Sequence, residues 1–153
     1  MNVNVKEQTP LVAAKLPSNL HMLSEDHVVD SVCLLLESLG YTIKHRSYTR
    51  AKGHDIHATH PTKADIVVEA KGEGSNTPTS RRYGKTFTKG QVNDHVGRAL
   101  LRALHSKAKG LDSGVAFPSD TNHRNEIEPI RELIKKAGVR IFFVDKNKST
   151  KEI

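Results

Sequence analysis

The sequence predicts a single α/β domain: a central mixed β-sheet flanked by helices, in the order α-β-β-β-α-β-α-β. Three observations carry this. Apolar residues recur at helical spacing from Val28 to Leu39 and again from Val92 to Leu104. The segment Ala64–Ala70 is apolar on both faces at its centre, as a strand covered on both sides must be. The second half then alternates helix, strand, helix, strand, the pattern of parallel crossovers.

In chain order, residues 1–20 hold Pro10 and Pro17 without a sustained period and read as an irregular arm. Ser24 is placed to cap a helix whose first turn carries Glu25 and Asp26, and Gly40 is placed to end it. Three strand candidates follow, at 41–48, 53–60 and 64–70, with Pro61-Thr62-Lys63 as the turn between the last two. Residues 72–90 are rich in Gly, Ser, Thr and Arg, and a loop of that length is usually functional or disordered. A helix is expected over 91–109, ended by Gly110, and a short strand over 113–117. A helix over about 126–137 follows, with Pro129 in its first turn, and then a strand over 139–145. The domain so defined covers 21–147, leaving 148–153 as a tail. Cys33, Phe117, Phe142 and Phe143 are expected in the core, and Asp65 at a turn or edge.

The chain of 153 residues is long enough to bury a core without disulfides, and its single cysteine excludes a disulfide framework. The longest apolar run, Val32 to Leu36, falls far short of the roughly 18 residues a membrane span needs. No apolar signal region opens the sequence, so an intracellular, cytoplasmic protein without a membrane partner is expected. The net charge is +7, and all of it resides between Lys71 and Lys109, where nine Lys and Arg face only Glu73 and Asp94. Such a segment in an otherwise neutral chain points to a polyanion, most often nucleic acid; a solvated helix face and loop is the plainer explanation. With four Phe, three Tyr and no Trp, an aromatic platform for stacking bases is not expected.

The second hairpin concentrates the chemistry. A turn centred on Thr62 sets Asp55 opposite Glu69, and directly opposed residues share a face with Cβ atoms about 4.5–5.5 Å apart. Strand alternation adds Lys71 to that face, and His57 beside Asp55. Two carboxylates so close repel unless a cation joins them or one is protonated. With a backbone carbonyl and waters they make a hard oxygen site for Mg²⁺ or Mn²⁺, and a neighbouring lysine suits phosphodiester hydrolysis. A Glu-x-Lys pattern alone is weak evidence: chance predicts about one in a chain of this composition. Glu69-Ala70-Lys71 is nevertheless the only one, and it ends the strongest strand. The plain alternative is a structural Asp–Lys–Glu salt-bridge cluster. His54, His57 and His60 alternate in facing, so surface histidines are expected there rather than a shared metal site.

Gly53-His54-Asp55-Ile56, with Glu69-Ala70-Lys71 beginning thirteen positions after Ile56, resembles the motif of the PD-(D/E)XK nucleases, which share the restriction-endonuclease-like fold. The resemblance spans roughly 24–145 and includes the order of elements. His54 stands where proline often precedes the aspartate. The resemblance implies that Asp55, Glu69 and the Ala70 carbonyl bind Mg²⁺ or Mn²⁺ and that Lys71 is the catalytic lysine. Gln91 is similar to a glutamine that some of these families place beside the site, with His95 one turn on. Glu25 or Asp26 would be the acid the first helix often supplies, though each lies about a turn early. His57 is a further accessory candidate. Arg81, Arg82, Tyr83, Lys85 and Lys89 follow the active strand and would contact DNA phosphates.

The expected function is therefore metal-dependent endonucleolytic cleavage of DNA, by a homodimer if the substrate is duplex. The short chain has no room for an obvious separate recognition domain, so a targeting protein partner is conceivable. The alternatives are a catalytically inactive nucleic-acid-binding module or a subunit of a DNA-processing complex on the same fold. A third is an interaction subunit that meets an acidic protein.

Overall fold

The computed structural model describes residues 22–48 and 53–153; the arm expected over 1–20 lies outside them. The first helix, α1 (Glu25–Ser38), is followed by β1 (Thr42–Arg46), β2 (Ile56–Thr59) and β3 (Ile66–Ala70). Then come α2 (Lys89–Ala108), β4 (Asp112–Pro118), α3 (Thr121–Ile127), a 3-10 turn at Glu128–Ile130, α4 (Arg131–Lys136), β5 (Val139–Val144) and β6 (Thr150–Glu152). All six strands form one mixed sheet in sequence order. The β1–β2, β2–β3 and β5–β6 pairs are antiparallel, and β3–β4 and β4–β5 are parallel. An α/β mixed sheet flanked by helices is thus what the chain forms.

Ser24 caps α1 as expected: its hydroxyl accepts from the His27 N–H, and the His27 ring accepts from the Ser24 N–H, both at 3.2 Å. Gly40 follows the helix with φ +89°, the left-handed position glycine takes at little steric cost. The sheet separates two cores. Val28, Val29, Val32, Cys33 and Leu36 of α1 pack on Ile56, Ile66, Val68, Ala70, Phe142 and Val144. On the opposite face Val92, Val96, Ala99 and Ala103 of α2 pack with Val115, Phe117, Ile141 and Phe143. Each fully buried Val, Ile or Phe side chain contributes about 1.5–3 kcal/mol of transfer free energy. Because β3 is covered on both faces, a polar side chain there is desolvated, which is the setting of Glu69.

Two expectations need correction. Among the described residues the strand count is six, not five, because the expected tail turns back at Asp145–Ser149 and adds β6 to the edge of β5. Arg140 pins it, donating to both carboxylate oxygens of Glu152 at 2.7 and 2.8 Å. Nor is there a single helix over 126–137. Asp120 caps a helix that begins at Thr121, and Pro129 lies in the 3-10 turn dividing α3 from α4. Proline lacks the N–H that a continuous helix would need there.

Candidate active site

The β2–β3 hairpin has the register of a turn centred on Thr62: Ile56 pairs with Val68, His57 with Val67 and Ala58 with Ile66. Continued by one residue, it sets Asp55 across from Glu69. Asp55 lies just outside β2, and its side chain takes over the strand's role. Oδ2 accepts the Ala70 N–H at 2.7 Å. Since Lys71 donates its N–H to Ala116 on β4, alternation turns the N–H and the carbonyl of Ala70 toward β2 and Asp55.

Glu69 is 2% exposed, and both its oxygens are engaged. Oε1 lies 3.0 Å from His54 Nδ1, and Oε2 accepts from Arg102 of α2 at 3.1 Å. The Lys71 ammonium reaches Glu25 Oε2 at 3.7 Å. Burial pushes the Asp55 carboxyl above its ordinary value and the nearby Glu69 charge adds to this, against the opposing Ala70 N–H and Lys71. Glu25 is likewise raised, by burial first, with Lys71 opposing and Asp55 and Asp26 adding.

The first turn of α1 reaches Lys71 because the chain crosses the end of β3 closely. A Cβ on Gly72 would stand 2.5 Å from the Glu25 backbone nitrogen. Glu73 fastens the crossing. Its buried carboxylate accepts the Leu23 N–H at 2.8 Å and pairs with Lys146.

Of the residues expected at the site, Asp55, Glu69, Lys71 and Glu25 are brought together. Asp26 acts on Glu25 through its charge. Gln91 is engaged in a helix cap: Thr88 and Gln91 form the capping box of α2, the Gln91 Oε1 accepting the Thr88 N–H at 3.0 Å. His57 is engaged with Asp65, Nε2 to Oδ2 at 3.1 Å. His95 lines the cleft beside Lys71 with its ring edge-to-face against Phe87, centroids 4.5 Å apart. Burial holds its pKa below the ordinary 6.5, aided by Lys71 and Arg98.

The segment after β3 is not a structureless loop. Backbone bridges join Gly74 to Thr86 and Ser75 to Tyr83. Arg82 braces it by donating to the Thr86 carbonyl at 3.1 Å, while Arg81, Tyr83, Lys85 and Lys89 are exposed.

Two site residues escaped the sequence reading. His54 was expected on the surface and Arg102 only in the basic segment, yet both clamp Glu69. The available signal was the glutamate itself: a carboxylate in a strand buried on both faces requires cationic or hydrogen-bonding partners.

Among the described residues no group of three His, Cys, Asp or Glu side chains is arranged to hold a metal ion. By donor chemistry, Asp55, Glu69 and the Ala70 carbonyl fit a hard divalent cation. Mg²⁺ is commonly held by one or two carboxylates with water filling the rest. Burial raises the Asp55 carboxyl, and a cation bound beside it would favour the charged form. Beside this cluster, a cleft of about 440 Å³ opens between residues 72–77 and α2. Among the described residues, no helix is long and apolar enough to cross a membrane. Compared with known proteins, the chain matches no family model and no curated protein.

Proposed function

We propose that the chain is a metal-dependent endonuclease of restriction-endonuclease-like fold that hydrolyses DNA phosphodiester bonds. The observation that carries this reading is the hairpin register. It delivers Asp55 to the Ala70 N–H between Glu69 and Lys71, so that two carboxylates and a lysine meet at the end of β3. Asp55, Glu69 and the Ala70 carbonyl would hold Mg²⁺ or Mn²⁺. Bound there, the ion supplies charge against the phosphodiester and acidifies bound water.

The remaining work falls to the chain's own groups. Lys71 orients the attacking water and stabilises the negative charge that develops on the phosphoryl oxygens. Glu25 holds the Lys71 ammonium in place. His54 and Arg102 fix the Glu69 carboxylate. In the reaction water adds to phosphorus, one P–O ester bond breaks, and the departing oxygen takes a proton. Arg81, Lys85 and Lys89 hold flanking phosphates. Two copies would be needed to cut both strands of a duplex, and a protein partner would supply any targeting.

One observation favours a second reading, a DNA-binding module without catalysis: His54 and Arg102 already satisfy both oxygens of Glu69. Cleavage assays on supercoiled plasmid, linear duplex, single strands and branched DNA separate the two. Cutting that needs Mg²⁺ or Mn²⁺, stops with EDTA and is lost in Lys71→Ala and Glu69→Ala supports the nuclease. DNA binding without cutting under every condition supports the module.

A further inference from the structure

We infer that the cleft beside Lys71 seats a single unpaired nucleotide next to the bond that is cut, which makes unpaired positions in DNA the preferred substrate. The inference rests on the nuclease reading and deepens it. The cleft, at about 440 Å³, lies toward the small end of ligand pockets, which run roughly 300–1,000 Å³. That accommodates one nucleotide. A duplex is too bulky to enter a cleft of that volume.

The lining is divided as a nucleotide is. Lys71, Arg98 and Arg102 line the cleft and supply positive charge for a phosphate, Lys71 beside Glu25 and Arg102 beside Glu69. Phe87 and Leu101 give apolar lining for a base, and Leu101 is 56% exposed, an apolar surface left more than half open. Asn76 offers both an amide donor and an acceptor to a base edge. One phenylalanine and one leucine serve one base. They do not make a platform for successive bases, which the composition does not lead one to expect.

Withdrawing a base from a paired stack costs a few kcal/mol, and least where the base is already unpaired. Bulges, flaps, mismatches and branch points therefore fill the cleft at lower cost than continuous duplex. The exposed cations of residues 81–89 then remain for the paired flank.

The probe is a short duplex carrying one unpaired 2-aminopurine, titrated with the full chain in EDTA and followed by fluorescence. The inference predicts a rise in fluorescence and binding about tenfold tighter than to the continuous duplex, the contribution of one stacked base. An abasic residue at the bulge should return the affinity to that of the continuous duplex. Leu101→Ala and Asn76→Ala alter exposed, uncharged side chains. Each should lose the preference while keeping the affinity for continuous duplex and the native circular dichroism. Equal affinity for the bulged and continuous duplexes, or a preference that survives both substitutions, overturns the inference. Metal-dependent nicking of plasmid is measured in parallel. Nicking without the preference removes the pocket and leaves the nuclease, whereas neither nicking nor DNA affinity removes both.

Discussion

The Asp55 carboxylate accepts the backbone N–H of Ala70 at 2.7 Å, a hydrogen bond that joins two strands through a side chain. It fixes the aspartate one residue from Lys71 and alongside Glu69. The site therefore depends on the hairpin register, and a slip of one residue would place these groups on opposite faces.

The crossing of the N-terminal segment over β3 makes Gly72 intolerant of any side chain. Gly72→Ala would drive a Cβ to 2.5 Å from the Glu25 nitrogen and 2.8 Å from the Ser24 carbonyl carbon. A loss of about 1–3 kcal/mol is expected, read by urea denaturation. Gly97, exposed in α2 with nothing within 4 Å of a built Cβ, is the control. Gly97→Ala should stabilise by about 0.5–1 kcal/mol.

If Asp55 and Glu69 hold a divalent cation, that cation stabilises the fold. At a hundredfold excess over Kd the gain is about 2.7 kcal/mol, and Tm rises by about 2–4 °C per kcal/mol for a chain near this size. EDTA should reverse the rise. Asp55→Asn should abolish it, while Lys71→Ala, which removes no ligand, should retain it.

Asp120 and His123 form a separate pair at the start of α3. The imidazole is fully buried, with Nδ1 2.6 Å from Asp120 Oδ2. Burial alone would raise the Asp120 carboxyl, but the His123 hydrogen bonds outweigh it and hold the group below 3.8. A depressed carboxylate adds stability that is fully present above its unfolded value and is lost as pH falls through the folded one. Asp120→Asn keeps a good helix cap and removes the charge. Its stability deficit against wild type should stay constant at neutral pH and close only below pH 3.8, measured by urea titration at stepped pH.

The exposed cations after β3 are expected to act on phosphates generally. Each phosphate contact steepens the log–log dependence of DNA affinity on salt by about 0.9. Replacing Arg81, Lys85 and Lys89 together with alanine should make that slope shallower by up to about 2.7. Arg82→Ala acts otherwise: it removes the brace to Thr86, and the loss should appear in stability.

The parts of this fold that were legible in the sequence are those governed by local period. The Pro61-Thr62-Lys63 turn and the alternation of β3 together specified the register of the hairpin. The Ser24 cap and Gly40 stop marked α1. The misses have identifiable physical causes. β6 has the polar sequence Thr-Lys-Glu, and it is held by a bidentate ion pair from Arg140, twelve residues away from Glu152. Such a contact leaves no periodic trace. The Asp120 cap and the Thr88-x-x-Gln91 capping box were present as local signals, and the second explains why the Gln91 side chain is turned back to the helix end. The clamps on Glu69 are long-range, spanning fifteen residues to His54 and thirty-three to Arg102; the β2–β3 hairpin brings the first and the packing of α2 on β3 the second.

The central claim is that Asp55, Glu69 and Lys71 hydrolyse a phosphodiester together. Its most direct test is the rate of Mg²⁺-dependent nicking of supercoiled plasmid under single-turnover conditions, for wild type and Asp55→Asn. Asparagine keeps the shape and an acceptor for the Ala70 N–H but not the charge. The account predicts nicking by wild type and a loss of at least about a hundredfold in the variant, the scale at which a single preorganised electrostatic contact acts. Nicking by Asp55→Asn at the wild-type rate would contradict it.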